Sequence, residues 1–349
     1  MKKNQMFRFA SSAVFLLLTT VTVNAAELKL VADEWPPFTS AQQGQRIAVD
    51  LVQTALQNAA VDTKVKILPW QEVLSGIKAD KYDAIVAAWK TPEREQYLLF
   101  SRAYLENRID LIGRQDNKIR FDNIEQLKGK KVGVVSGYAY GNEITNNKDI
   151  IQVPGATVAD NIKKLLGGEV DFILADALVA QAIKEHLPPE ITEKLYIYDK
   201  EVVTQGLYFA VRKNLQNAQP MLDKFNKAIE QMIADGTYNK ILGFTWLVAD
   251  SNSDGVYEYI AGGNLSSAGK DPAEFQAGYA LFGDSADTIQ TEENLPDMPS
   301  KKPLLKYRVL NQEYNSWDDA KQAIDQAREE GVSPYEDTSG TFDFLIGKF

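Results

Sequence analysis

Leu28, Leu30 and Ala32 are apolar, with Lys29 between the first two, and this alternation predicts a first strand. The chain then runs into Asp33-Glu34-Trp35-Pro36-Pro37-Phe38, where two prolines fix an extended turn and display Trp35 at the strand's carboxyl end. Ala48, Leu51, Val52, Ala55, Leu56 and Ala59 recur at helical spacing. Val65 and Ile67 alternate as a second strand, and Trp70, Val73, Leu74 and Ile77 mark a second amphipathic helix with Trp70 at its start. A buried strand from Asp83 to Trp89 follows. This β-α-β-α-β order predicts a doubly wound α/β lobe. Thr91-Pro92 opens a short helix with a hydroxyl cap and a proline at the first helical position, and Arg94 falls in its first turn. A strand at 109–113 leaves the lobe.

A second unit of the same kind begins near Gln115. Lys131 to Val135 reads as a strand, followed by a turn of sequence Ser136-Gly137-Tyr138-Ala139-Tyr140-Gly141. Its two glycines allow backbone to approach a ligand closely. A short strand at 150–153 precedes a helix capped by Thr157, with Val158, Ile162, Leu165 and Leu166 on one face and Gly167-Gly168 at its end. Val170 to Ala175 is a buried strand with Asp176 at its carboxyl end, and a helix at 177–186 and a strand at 194–198 complete the unit. Leu207 to Val211 reads as a return strand, and Met221, Leu222, Phe225, Ile229, Met232 and Ile233 line a long helix ending near Gly236. The expected division is lobe 1 from 26–112 and 207–248, with lobe 2, 113–206, inserted. Two crossings, near 110–116 and 203–210, make a hinge about which each lobe can rotate as a rigid body. In open α/β sheets ligands sit beyond the carboxyl ends of the strands, where Trp35, Arg94 and Asp176 are placed.

Residues 249–349 differ. Ser, Gly, Asp and Asn are frequent up to Glu293, yet Tyr257, Tyr259, Phe275, Tyr279 and Phe282 break the signature of disorder. Pro296 to Pro303 resembles a linker, Leu304 to Leu310 a strand and Trp317 to Glu330 an amphipathic helix. The expectation is a small appended module.

The amino terminus changes the picture of where the chain works. Lys2, Lys3 and Arg8 precede a mostly apolar stretch from Ala10 to Val23, and Val23-Asn24-Ala25 offers a small-residue cleavage site. The apolar run falls short of the ~18–20 residues that a membrane span needs, so cleavage near Ala25 and export to the periplasm are expected. Removing those three basic residues takes the net charge from −10 to −13, which disfavours nucleic acid and anionic lipid as partners. With zero cysteines among 349 residues, disulfides, thiol catalysis and zinc–thiolate sites are excluded.

Minor signals add little. Asp250-Ser251-Asn252-Ser253-Asp254-Gly255 matches the first half of a calcium loop, but Ala261 stands where the bidentate glutamate belongs, so a solvated turn is expected. His186, the only histidine, reads as a helix-end residue. Lys128-Gly129-Lys130-Lys131 reads as a surface turn. No metal and no cofactor is called for.

Taken in order, the segments ADEWPPF, KYDAIVAAWKTPER, FSRAY, LKGKKVGVVSG, GEVDFILAD and ADGTYNKILG make residues 27–248 resemble the periplasmic solute-binding proteins of family 3, the polar amino-acid type. The resemblance implies the two-lobe type II periplasmic binding fold, with a discontinuous first lobe. It implies that Arg94 clamps a ligand carboxylate, which a planar guanidinium can do with two parallel hydrogen bonds. Read without the resemblance, Arg94 would pair with Glu93 or Glu95. It implies further that Asp176 binds the ligand's ammonium from the other lobe, although an aspartate at a helix start also serves as a cap. Trp35 and Trp70 match aromatic pocket positions, and Trp89 follows the central strand; lobe core is the plain alternative for each. Ser136, Gly137, Tyr138 and Ala139 match the second-lobe carboxylate loop, with the Tyr138 and Ala139 N–H groups as donors and Tyr140 at the rim. Where typical members carry hydroxyls or glycine, this chain has Ala87, Ala88 and Trp89. Three tryptophans suit a bulkier, aromatic or aliphatic ligand carrying a carboxylate.

The function so implied is ligand capture by lobe closure, by a monomer that serves a membrane ABC permease or a membrane sensor. Two other readings stand beside it. One is an enzyme on the same scaffold, for which a dehydratase would need an acid/base carboxylate such as Glu34. The other is an envelope-interaction protein that uses the carboxy-terminal extension.

Overall fold

The computed structural model describes residues 27–42, 46–242, 246–249, 258–261, 279–281, 306–310 and 312–330. The expected leader and cleavage site, the turn expected at 250–255 and the linker expected from Pro296 to Pro303 lie outside these residues.

Strand β1 (Leu28–Ala32) lies between two parallel neighbours, β2 (Thr63–Ile67) and β3 (Ala84–Ala88). Alternation along the strands gives this sheet two faces. Leu30 and Ala32 of β1, with Ala84 and Val86 of β3, share a core with helix α1 (Ile47–Asn58). Val31 and Ile85 turn to the other face and pack with Val73 and Ile77 of helix α2 (Trp70–Lys78). One helix on each face is the doubly wound arrangement that the periodicity predicts. Beyond β3 a single 3₁₀ turn (Arg94–Gln96) leads to the short strand β4 (Leu98–Phe100) and then to β5 (Leu105–Arg114).

The second part of the sheet holds β6 (Lys131–Val135), β7 (Ile151–Gly155) and β8 (Phe172–Asp176), with β6 parallel to both of the others. Pro154 sits in β7, which is an edge strand, where its missing N–H costs no ladder bond. Helices α3 (Asn142–Thr145), α4 (Val158–Leu166), α5 (Ala177–His186) and α6 (Pro189–Thr192) connect these strands. The Thr157 hydroxyl accepts from the Asp160 N–H at 3.1 Å and caps α4 as expected.

The strand after α6 departs from the sequence reading. The strands at 194–198 and 207–211 are one continuous strand, β9 (Leu195–Arg212). Asp199-Lys200-Glu201 and Gln205-Gly206 look like interruptions, but β5 runs antiparallel beside them and pairs with Glu201, Gln205 and Gly206. Register shifts on either side of Asp110 absorb the extra residues of β9. The far end of β9 then pairs with β3 and β4. Beta-5 and β9 thus join the two parts, in the sheet order β2-β1-β3-β9-β5-β8-β6-β7. Helix α7 (Ala218–Asp235) buries Leu222, Phe225, Ile229, Met232 and Ile233 in the α1 core, and Gly236 ends it at φ 83°. Helix α8 (Thr237–Leu242) follows.

A second, five-stranded sheet joins Trp246–Ala249, at the end of the residues expected for lobe 1, to strands of the carboxy-terminal extension. It comprises β10 (Trp246–Ala249), β11 (Glu258–Ala261), β12 (Tyr279–Leu281), β13 (Lys306–Val309) and β14 (Gln312–Tyr314). Tyr259, Ala261, Tyr307 and Val309 pack on Ala320, Ile324 and Ala327 of helix α9 (Trp317–Glu329). Glu258, 1% exposed, takes Arg308 in a bidentate pair at 2.6 and 3.0 Å. The alternation of β11 turns Ile260 the other way, into the main core. Its carbonyl accepts from the buried Asn239 amide at 2.7 Å.

Among the described residues, no helix is long and apolar enough to cross a membrane.

Candidate functional site

Asp33, Trp35, Trp70, Ala87, Trp89, Arg94, Tyr138 and Leu207 surround a cavity at the carboxyl ends of β1 and β3. Asp33 and Trp35 come directly after β1. A tight turn holds them: Trp35 and Thr39 exchange both backbone hydrogen bonds, and the Thr39 hydroxyl donates to the Asp33 carbonyl at 2.7 Å. Trp70 opens α2 and Trp89 follows β3. Arg94 opens the 3₁₀ turn, with its N–H donating to the Thr91 hydroxyl at 3.2 Å.

The Arg94 guanidinium is buried. Nη1 donates to the Trp89 carbonyl at 2.6 Å and Nη2 to the Gly137 carbonyl at 3.2 Å, while the Trp70 ring lies 4.9 Å below it. Both hydrogen-bond partners are carbonyl oxygens, and burial lowers the guanidinium's pKa. Glu93 and Glu95, the partners that a surface arginine would take, pair with Lys78 at 3.4 Å and Lys90 at 3.7 Å.

The acid beside Arg94 in the cavity is Asp33, not Asp176. Burial pushes the Asp33 carboxyl up to about 6; the Tyr138 hydroxyl, which donates to it at 2.5 Å, and the charge of Arg94 pull the other way. Asp176 is buried at the end of β8 and does not line the cavity. It caps α5 by accepting from the Leu178 N–H at 2.8 Å, and it accepts from the Asn107 amide at 2.9 Å. The Asn107 oxygen in turn accepts from Trp89 Nε1 at 2.8 Å. Burial pushes Asp176 up to about 7, against these two donors. In this arrangement Arg94 and Asp33 share one wall of the cavity, and Asp176 lies outside its lining. Asp33 is not among the residues singled out from the sequence, although it carries the same signal as Asp176, an aspartate at the carboxyl end of a buried strand.

The turn after β6 faces the tryptophans. The Tyr138 ring lies 5.7 Å from Trp35, 5.9 Å from Trp70 and 5.4 Å from Trp89, edge to face with each. The Gly137 carbonyl accepts from Trp70 Nε1 at 2.9 Å as well as from Arg94. Gly137 has φ 80°, and a Cβ there would come within 2.4 Å of Gln71 Nε2 and 3.2 Å of Trp70, so this approach needs glycine. Ser136 is exposed, and its N–H donates to the Gly155 carbonyl. The Tyr138 N–H donates to the Val135 carbonyl within its own turn and so does not point a free donor at the cavity; Ala139 is half-buried and does not line the cavity. Tyr140 is buried rather than at a rim: its oxygen accepts from the Val135 N–H, and its ring packs 5.3 Å from Trp89. The space left between the lining side chains is about 20 Å³, room for a water but not for an amino acid. Among the described residues, no group of acids and histidine is disposed to hold a metal ion.

The sequence profile of the bacterial extracellular solute-binding proteins, family 3, matches residues 29–246. A putative ABC transporter arginine-binding protein 2 of Escherichia coli (strain K12) is 29% identical over 230 residues, 64% of this chain and 92% of that protein. The L-cystine-binding protein TcyJ of the same strain is 26% identical over 241 residues, 67% of this chain and 87% of its own. Among solved structures, an ancestral arginine-binding protein bound to arginine superposes with a TM-score of 0.53 at 26% identity, covering 62% of this chain and 96% of that one. A histidine kinase sensor domain similar to periplasmic binding proteins shares the fold, with a TM-score of 0.54 at 19% identity, covering 62% of this chain and 95% of its own. The fold is the two-lobe type II periplasmic binding fold with an added carboxy-terminal module, and the chain belongs to the bacterial extracellular solute-binding proteins of family 3.

Proposed function

We propose that this protein captures a small carboxylate-bearing solute of the amino-acid kind in the periplasm, between lobe 1 (26–112 with 207–248) and lobe 2 (113–206). The observation that carries this reading is Arg94: a buried guanidinium that faces a cavity walled by three tryptophans and meets only carbonyl oxygens there. A carboxylate would bind it more strongly than a carbonyl does, because the bond is then charged on both sides. Relatives that bind arginine and cystine support an amino acid as the solute. The cavity is too small for one as the lobes stand, so capture requires rotation about β5 and β9.

The protein acts as a monomer that presents its closed form to a membrane partner, an ABC permease or a membrane sensor. Capture proceeds without chemistry on the solute. Glu34, the acid that a dehydratase would use, is tied to the Ser40 hydroxyl at 2.7 Å and the Ala41 N–H at 3.3 Å and does not line the cavity.

Calorimetry of the exported protein against the twenty amino acids tests the reading. One or more should bind with micromolar or tighter affinity, about −8 kcal/mol. Arg94→Ala should weaken that ligand at least tenfold, about 1.4 kcal/mol; unchanged affinity would remove Arg94 from the site.

A further inference from the structure

We infer that the Gly137-Tyr138 dipeptide of lobe 2 is a built-in stand-in for the ligand, and that the ligand is a compact aromatic acid whose ring carries a hydrogen-bond donor, of the hydroxyphenyl amino-acid class. This rests on the binding-protein reading above and names the ligand of that same site.

Lobe 1 treats this dipeptide as a receptor treats a small molecule. At one end, two donors from separate segments, Trp70 Nε1 at 2.9 Å and Arg94 Nη2 at 3.2 Å, converge on the Gly137 carbonyl oxygen. In the middle, Trp35, Trp70 and Trp89 meet the Tyr138 ring with centroids 5.4–5.9 Å away and planes at 72–79°. At the far end, the Tyr138 hydroxyl donates to Asp33 Oδ2 at 2.5 Å. Acceptor, flat ring and donor are each met by lobe 1 side chains. The acceptor position suits a carboxylate better than the carbonyl now in it, because the guanidinium then gains a charged partner. The ring position rewards another ring, since edge-to-face contact with three indoles is specific to aromatic bodies. The donor position faces a buried carboxylate, which loses a hydrogen bond whenever the occupant has no donor there.

The space left over is about 20 Å³, so stand-in and ligand exclude one another. The ligand must displace Tyr138 before the lobes close on it, and its measured affinity is reduced by whatever holds Tyr138 in place.

The test titrates the full exported chain with L-tyrosine, L-phenylalanine and L-arginine, by calorimetry and by tryptophan fluorescence. The same titrations are run on Tyr138→Ala and on the milder Tyr138→Phe, which keeps the ring and drops only the hydroxyl. L-tyrosine should bind at least tenfold more tightly than L-phenylalanine or L-arginine, and it should perturb the indole emission. Both variants should bind L-tyrosine more tightly than the parent, Tyr138→Ala the more so if it folds. Tighter binding of L-arginine than of L-tyrosine overturns the ligand class and leaves the binding-protein reading intact. Weaker L-tyrosine binding by Tyr138→Phe makes the hydroxyl a ligand contact and overturns the stand-in. If no amino acid binds the parent or either variant, both readings fall together.

Discussion

At the scale of single residues, buried acids give the protein an unusual response to pH: Glu106, which burial lifts to about 7, and two aspartates. Asp33 faces Tyr138, Arg94 and Glu34; Asp176 faces the Leu178 N–H, Asn107, Asp110 and Arg108. Burial lifts them from 3.8 to about 6 and about 7. The unfolded chain releases these protons near its ordinary carboxylate range, while the folded chain holds them into the neutral range. Between those limits the native state binds more protons, so stability falls as pH rises. The denaturant midpoint should be higher at pH 5 than at pH 8, and Asp176→Asn, which keeps a cap acceptor, should flatten the dependence. A midpoint that climbs with pH would contradict the burial of these acids. The same residues mark the limit of what sequence could say. Arg94 was legible because a hydroxyl cap and a proline fix the turn that carries it. Asp176 stood at the expected place in the chain, but its direction was set by Asn107, sixty-nine positions away, a contact without local signature.

At the scale of elements, period and propensity were enough wherever a helix or strand meets its core through one regular face. Helix α7 is the clearest instance: its buried residues are those that recur at three and four positions. Phe225 is fully buried there, beside Phe209 at 4.8 Å and Tyr104 at 5.9 Å. Phe225→Ala should cost about 3–5 kcal/mol in chemical denaturation, whereas exposed Lys224→Ala should stay within about 0.5 kcal/mol. Equal effects would mean that the helix does not present this face to the core. Strand β9 shows where local signals fail. Its charged and glycine-containing middle looks like loop and becomes strand through pairing with β5, a partner about ninety residues earlier.

At the scale of the whole molecule, the extension is part of the first lobe's packing. Ile260 enters the main core and its carbonyl accepts from the buried Asn239 amide nitrogen. Deleting residues 250–349 uncovers that core and leaves the amide without its acceptor, a loss of about 1–3 kcal/mol for the amide alone. The denaturant midpoint of the truncated chain should fall accordingly; an unchanged midpoint would make the extension an independent appendage. The attachment has a practical side. The extension rides with lobe 1, whereas the edge strand β7 belongs to lobe 2. Each offers an exposed apolar position, Leu310 at 46% and Ile151 at 49%. Because the chain holds zero cysteines, Ile151→Cys with Leu310→Cys would place two fluorophores on opposite sides of the hinge against a silent background. Their energy transfer should then change when solute is added, turning the appended module into a pointer on a dial.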